Sequence, residues 1–192
     1  MKDTNTQQQK AEKTGETAKR LYPLEKFEII ENGIFIAKSR MPRSAEQVNV
    51  LEKELRQARI LVGRGSTVYL LSENPDPNIK KVKFPDAVVD GLVMEFKTIT
   101  GGIRQVESRY KEARIKAENI FLLIVSPLSK HDFTRKLSGY IKRKGYSGGH
   151  IFAFFAANDE FYQWSEDELS GAANGQKKSG SYDPAAIQGK SD

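Results

Sequence analysis

The chain has 192 residues, of which 38% are hydrophobic, and it carries a formal net charge of +6. This length suits one domain with tails, and the absence of cysteine excludes disulfides, thiolate metal sites and cysteine nucleophiles. The longest apolar run, IFLLIV at 120–125, is too short to cross a bilayer, so we expect no membrane span. A positive charge favours a polyanionic partner such as nucleic acid, although a basic surface without such a partner explains the charge equally well.

Both ends of the chain differ in composition from its middle. Residues 1–19 and 171–192 are polar and contain almost nothing to bury. Such a composition is typical of disorder, so we predict a disordered leader or linker over 1–19 and a disordered tail over 171–192. A single domain is then expected over 20–170.

The first half of this domain begins with a hairpin. Two apolar runs within 27–38 flank Asn32-Gly33, a pair that suits a tight turn. Ser44 then caps a helix whose apolar residues recur at helical spacing as far as Val62. A strand is predicted at 66–71 and a loop at 72–78.

The second half alternates strands and helices. We predict a second hairpin, an amphipathic helix, a buried strand, a basic helix and two further strands, at 84–99, 103–118, 119–126, 130–144, 150–157 and 160–164. Over 44–126 the order is helix, strand, strand, strand, helix, strand. This order predicts an α/β (α+β) fold in which helices flank a mixed β-sheet.

The hairpin at 84–99 fixes the positions of its charged residues. With a two-residue turn at 90–91, Asp86 faces Glu95 on the opposite strand. Directly opposed residues share a face of the sheet, with their Cβ atoms about 5 Å apart. Side chains alternate along a strand, so Lys97 lies on the same face, about 6.7 Å along the strand from Glu95.

Two carboxylates that face each other repel, and a divalent cation between them removes this repulsion. Because carboxylates, water and phosphate are the ligands of Mg²⁺ in many proteins, we predict a site for Mg²⁺, Mn²⁺ or Zn²⁺ on Asp86 and Glu95. Such a metal activates water and stabilises charge on a phosphate, while Lys97 can orient or deprotonate the water or stabilise the oxyanion. The alternative is a structural ion pair between Lys97 and Glu95, and a one-residue register shift would separate the three side chains.

Pro85-Asp86, followed by Glu95-Phe96-Lys97, resembles the PD-(D/E)xK motif of the restriction-endonuclease-like superfamily. The resemblance implies a core of αβββαβ order with Asp86 on the second strand and both Glu95 and Lys97 on the third. These three residues would then be catalytic.

Many members of that superfamily add an acidic residue from the first core helix. Here Glu54 is our choice as the additional catalytic residue, because it shares a helix face with the apolar Leu51 and Ala58. Glu52 is the alternative, and a solvated helix position is an equally good interpretation of either glutamate.

One branch of the superfamily resembles the chain more closely. The runs ELRQARILVGRGSTVYLLSE and PDAVVDGLVMEFKT are similar to the C-terminal tRNA-nuclease domains of contact-dependent growth inhibition toxins. Similar domains end some phage head-morphogenesis proteins. The resemblance implies metal-dependent RNA cleavage, a cognate immunity protein, a cytoplasmic site of action and delivery within a larger secreted or phage protein.

Two other functions remain open. A DNA endonuclease of restriction, repair or mobile-element type would have the same site, since that site acts on the phosphodiester and not on the base. A nucleic-acid-binding or phage-assembly module with an inert core is the non-enzymatic alternative.

Basic residues cluster in the two helices that follow the second hairpin. We predict phosphate contacts from Arg104, Arg109, Lys142, Arg143 and Lys144. For any one of these residues, a solvated helix face is the simpler interpretation.

Overall fold

The computed structural model of the protein describes residues 3–72 and 84–171. Within these residues the protein is mixed α/β, with five α-helices and one eight-stranded mixed sheet whose strands follow the order of the sequence. The prediction of a mixed sheet combined with helices is therefore confirmed. No helix among these residues is long and apolar enough to span a membrane.

The chain divides into two compact units, Met1–Phe96 and Lys97–Asp192. The single domain predicted over 20–170 comprises parts of both units and stays a prediction. Apart from Gly171 and Ser72, the predicted tail over 171–192 and the predicted loop over 72–78 lie outside the described residues.

The first unit contains two helices and the strands that lead to the second hairpin. Its elements are α1 (Asp3–Leu21), β1 (Phe27–Glu31), β2 (Ile34–Ala37), α2 (Ala45–Val62), β3 (Val68–Leu70), β4 (Ala87–Val89) and the first part of β5 (Leu92–Ile99). A short 3₁₀-helix, Lys38–Arg40, lies between β2 and α2. The strands pair antiparallel except for β2 with β3, which is parallel.

Local signals set the bounds of several elements in this unit. Gly33 adopts a positive φ of 79° in the turn between β1 and β2, which few other residues tolerate. The Ser44 side chain accepts a hydrogen bond from the Gln47 backbone nitrogen (3.3 Å), and the Gln47 side chain accepts one from the Arg43 nitrogen (2.7 Å). These bonds satisfy two backbone donors at the start of α2.

The second unit starts with the rest of β5. It continues with α3 (Ile103–Arg114), β6 (Asn119–Ile124), α4 (Lys130–Lys144), β7 (His150–Phe155), β8 (Glu160–Ser165) and α5 (Glu166–Ser170). β6 and β7 are parallel, and β8 returns antiparallel. The order α2, β3, β4, β5, α3, β6 confirms the element order predicted over 44–126.

A buried carboxylate holds the end of this second unit in place. Glu166 is fully buried and accepts hydrogen bonds from the Tyr110 hydroxyl, from Arg114 Nε (2.8 Å) and from the Gly149 nitrogen (2.9 Å). These donors compensate its charge, so Glu166 ties the start of α5 to Tyr110 and Arg114 of α3. The sequence did not predict α5.

Residues 3–21 form helix α1, so the predicted disordered leader over 1–19 is wrong for these residues. Ala18 of α1 and Tyr22 just beyond it pack with Leu71 and Val88 in a buried cluster. The helix therefore covers part of the sheet around β3 and β4.

The polar composition of residues 1–19 did not indicate helix α1, because the helix makes its contacts through small and polar residues. Thr14 is fully buried and bonds through its hydroxyl to the Lys10 carbonyl (2.6 Å). Gly15 lies so close to Tyr69 that a Cβ atom there would be 2.8 Å from the tyrosine oxygen. A hydrophobic count misses a helix that packs through such residues.

We predict that Ala18→Asp lowers the free energy of unfolding by about 3 kcal/mol or more, because it places an uncompensated charge against Leu71 and Val88. Urea unfolding followed by circular dichroism measures this change. Lys19→Asp, at an exposed position of the same helix, is the matched control and should cost less than about 1 kcal/mol. Equal effects of the two variants would show that α1 does not pack on the sheet.

Candidate active site

The hairpin of β4 and β5 has the predicted register. Ala87 pairs with Met94, and the ladder runs without a shift to the turn. In that turn Asp90 and Gly91 have φ angles of 48° and 86°. Positive φ at both central residues is the geometry of a two-residue hairpin turn, as expected from their identities.

Asp86 lies one residue outside this ladder, and its side chain contacts the partner strand. Its Oδ2 accepts a hydrogen bond from the Phe96 backbone nitrogen (2.9 Å). If the ladder continued by one more hydrogen-bonded pair, this nitrogen would instead donate to the Pro85 carbonyl. The Asp86 carbonyl accepts another from the Leu71 nitrogen (2.9 Å). The carboxylate is therefore fixed beside β5, next to the residue that follows Glu95.

Glu95 lies in the middle of β5 and is 0% exposed. Alternation along the strand places it on the face of Val93, which pairs with Val88. Val88 packs against Ala18 of α1. The Glu95 carboxylate is thus on the face of the sheet that α1 covers.

Lys97 is partly buried and lies two residues beyond Glu95 on the same strand. Because β5 continues to Ile99, the strand itself sets the spacing of about 6.7 Å between the two residues. Within the first unit, the Asp86 carboxylate is thus bound at the backbone nitrogen of the residue that follows Glu95. The convergence of all three side chains on one metal ion stays a prediction.

Glu54 contacts an arginine that the sequence analysis did not single out. Arg40 Nη2 lies 2.5 Å from Glu54 Oε2, and the two side chains are only 6% and 14% exposed. Arg40 Nη1 also donates to the carbonyls of Leu71 (2.5 Å) and Asp86 (3.0 Å). Arg40 thus links Glu54 to the backbone of the predicted catalytic aspartate.

The alternative glutamate has different surroundings. The Glu52 side chain is 55% exposed and lies 3.3 Å from Arg59 Nη1. Arg59 in turn pairs with Glu31 on β1 (2.5 Å). Of the two glutamates, Glu54 is the one connected to Asp86.

Tyr22 completes the surroundings of Asp86. Burial raises the pKa of Tyr22 to about 12, the charge of Arg40 acts to lower it, and the charge of Asp86 acts to raise it. The hydroxyl therefore lies within electrostatic reach of both residues.

A cleft of about 340 Å³ opens beside the ion pair of Arg40 and Glu54, and its lining includes Ser39, Gln47 and Ser72. A wider depression of about 610 Å³, lined by Leu24, Glu25 and Met41 among others, holds none of the predicted site residues. Of the predicted site residues, the lining of the smaller cleft includes Glu54 but not Asp86, Glu95 or Lys97.

Asp86 and Glu95 supply oxygen ligands only. Across the described parts of the chain, no group of three or more histidine, aspartate or glutamate side chains is arranged to hold a metal ion. Two carboxylates nevertheless match the usual protein share of a Mg²⁺ site, where water and substrate phosphate supply the other ligands. The donor set fits Mg²⁺ or Mn²⁺ better than Zn²⁺, which favours nitrogen and sulfur.

The residues predicted to bind nucleic acid lie on α3 and α4. Arg104, Lys142 and Lys144 are exposed. Arg109 pairs with Glu112 (2.9 Å) and Arg143 with Glu107 (2.8 Å). These two arginines already have acidic partners, and their contacts with phosphate stay predictions.

Glu107 is the centre of that ion-pair cluster on the second unit. Its carboxylate lies 3.0 Å from the Lys136 ammonium as well as 2.8 Å from Arg143. Hydrogen bonds from Lys136 and then Arg143 hold the pKa of Glu107 below its usual value.

Comparison of the chain with protein-family models, with curated proteins and with solved structures gives no match. The resemblance to the PD-(D/E)xK superfamily therefore rests on the residues and geometry described above. Sequence reasoning missed Arg40, which carries no motif or periodic signal because it ends a 3₁₀-helix of only three residues.

We predict that Tyr22→Phe changes stability in alkali. The folded pKa of about 12 lies above the unfolded value near 10. The hydroxyl therefore contributes stability that is present below pH 10 and is lost as the pH rises to 12. Urea unfolding from pH 9 to 12 should show the wild-type protein losing about 2 kcal/mol more than Tyr22→Phe. Parallel curves for the two proteins would contradict the position assigned to Tyr22.

Proposed function

We propose that the protein is a metal-dependent nuclease that hydrolyses phosphodiester bonds, with a PD-(D/E)xK core. One observation carries the proposal: the Asp86 carboxylate is bound to the Phe96 backbone nitrogen, directly beside the buried Glu95. The element order from α2 to β6, which is that of the superfamily core, supports it.

A fully buried carboxylate with a partly buried one bound next to it in the backbone favours a cation. Removing an ionised carboxylate from water is unfavourable by several kcal/mol unless opposite charge compensates it, and a second carboxylate nearby adds repulsion. Asp86 and Glu95 would hold Mg²⁺ or Mn²⁺, which would supply an activated water and stabilise charge on the scissile phosphate.

Lys97 has a separate role in this proposal. Its ammonium group follows Glu95 on the same face of β5 and can donate hydrogen bonds to the attacking water or to a phosphate oxygen. A lysine in this position stabilises negative charge that develops in the transition state. It is not needed to bind the remainder of the substrate.

The proposed substrate is RNA, and tRNA in particular. Support comes from the similarity of residues 54–73 and 85–98 to the tRNA-nuclease domains of growth inhibition toxins, and from the net charge of +6. The same similarity suggests a toxin that acts in the cytoplasm, arrives within a larger secreted or phage protein, and has a cognate immunity protein. Arg104, Lys142 and Lys144 are proposed to contact phosphates.

The first test is Lys97→Met. We expect cleavage of total tRNA in Mg²⁺ to fall about a hundredfold or more, because the lysine acts on the reacting groups. Affinity for tRNA should change by less than about twofold, since binding depends on many dispersed phosphate contacts. Turnover and filter-binding measurements give the two quantities.

Lys53→Met is the matched control, at an exposed position on α2, and should retain normal cleavage. Cleavage is also measured with plasmid DNA in place of tRNA, to identify the substrate, and with EDTA in place of Mg²⁺, to test the need for metal. If Lys97 only neutralises Glu95, Lys97→Met will instead melt at a clearly lower temperature with normal turnover per folded molecule, and the catalytic assignment is then wrong.

A second test is Asp86→Asn. The amide oxygen can still accept the hydrogen bond from Phe96, so the hairpin should fold. Loss of the charge should weaken Mn²⁺ binding by more than about tenfold, measured by isothermal titration calorimetry, and cleavage should be lost with it. Unchanged Mn²⁺ affinity would remove Asp86 from the metal site.

A further inference from the structure

We propose that Arg40 is the positioning residue for Asp86, and that Glu54 is the counter-ion of Arg40 rather than a metal ligand. This inference rests on the proposed function, in which Asp86 binds the metal. It concerns only residues of the first unit.

The backbone of Asp86 is held by residues outside the β4–β5 hairpin. The β4–β5 ladder ends at Ala87, so the strand pairing does not fix the backbone of the preceding residue. The Asp86 carbonyl instead receives two donors, the Leu71 nitrogen (2.9 Å) and Arg40 Nη1 (3.0 Å). These bonds hold one side of Asp86 while Phe96 holds its carboxylate.

Arg40 bridges two chain segments at this point. Its Nη1 also donates to the Leu71 carbonyl (2.5 Å), so one guanidinium nitrogen joins the end of β3 to the start of β4. The planar guanidinium has donors in a fixed fork, which the point charge of a lysine cannot reproduce. We therefore expect that a lysine at position 40 would keep the positive charge but would not form both hydrogen bonds.

The turn that carries Arg40 is itself anchored. The Ser39 nitrogen donates to Glu25 Oε1 (3.1 Å), and the Ser39 hydroxyl lies 2.9 Å from the Ser72 hydroxyl. Ser72 follows Leu71 directly. Residues 39–40 thus form hydrogen bonds with residues 71–72 at two places, Ser39 with Ser72 and Arg40 with Leu71. These bonds restrict the position of Arg40.

The Glu54 carboxylate forms an ion pair with this arginine. The 2.5 Å ion pair is formed by side chains that are 6% and 14% exposed, so each charge compensates the other where little water is present. If Glu54 ligated a metal ion instead, it would no longer compensate the Arg40 charge at 2.5 Å, in a setting with little water, and this loss is unfavourable. We therefore assign to Glu54 the role of neutralising Arg40, whose position is set by its hydrogen bonds to the Leu71 and Asp86 carbonyls.

The experiment compares Glu54→Gln and Arg40→Lys with the wild type, with Glu52→Gln as the matched glutamate control. Mn²⁺ affinity is measured by calorimetry, the metal-free melting temperature by circular dichroism, and cleavage with total tRNA and plasmid DNA. If Arg40→Lys does not fold, the double variant Arg40→Gln/Glu54→Gln, which removes both charges, takes its place.

We expect Glu54→Gln to lower the metal-free melting temperature while its Mn²⁺ affinity stays within about twofold of wild type. Arg40→Lys should weaken Mn²⁺ binding by about 10- to 100-fold, as expected when support of a metal ligand is lost. Glu52→Gln should change neither quantity.

Three results would overturn the inference. Glu54→Gln with an unchanged melting temperature and Mn²⁺ binding weakened more than tenfold would make Glu54 a ligand, and the proposed function would stand. Arg40→Lys with a lower melting temperature but normal Mn²⁺ affinity would make Arg40 merely structural. A wild-type protein that neither binds Mn²⁺ nor cleaves either substrate would refute the proposed function and the inference together.

Discussion

Burial of the Glu95 carboxylate in the middle of β5 is the constraint on which the candidate site depends. An ionised carboxylate out of water requires compensation worth several kcal/mol. The Asp86 carboxylate is bound at the nitrogen of the next residue, Phe96, and Lys97 follows Glu95 two residues along the strand. A cation and a lysine can balance two carboxylates there, and both would then be in place to act on a phosphate. The requirements of folding and of the proposed chemistry thus fall on the same residues.

Two other poorly exposed carboxylates in the described residues are compensated differently. Glu166 is surrounded by protein donors, the Tyr110 hydroxyl, Arg114 and the Gly149 nitrogen, and this set serves packing. Glu54 is neutralised by Arg40, whose other nitrogen holds the Asp86 carbonyl. Glu95 differs from both because the Asp86 carboxylate is bound at the backbone nitrogen of the residue that follows it. That difference is the reason to assign metal binding to the hairpin and a supporting role to the pair on α2.

The parts of the fold set by local chemistry could be predicted from the sequence. The Asp90-Gly91 turn fixed the β4–β5 register, and Ser44 marked the start of α2, because both effects act within a few residues. Arg40 could not be found in this way, since its contacts with Leu71 and Asp86 span 31 and 46 residues. Helix α1 was missed because it contacts Tyr69 at Gly15, where only a residue without a side chain fits. A search for regularly spaced hydrophobic residues does not detect such a contact. The register of the hairpin could therefore be predicted, whereas the long-range contacts of Arg40 and the packing of α1 could not.

The central claim is that Asp86 and Glu95 together bind a divalent cation. Its most direct test is a crystal of the full chain soaked in Mn²⁺, with anomalous diffraction recorded at the manganese absorption edge. We expect a peak within about 2.5 Å of a carboxylate oxygen of both Asp86 and Glu95, in the range of metal–oxygen bonds. No peak at this hairpin at millimolar Mn²⁺, or a peak ligated by Glu54 in place of either residue, would contradict it.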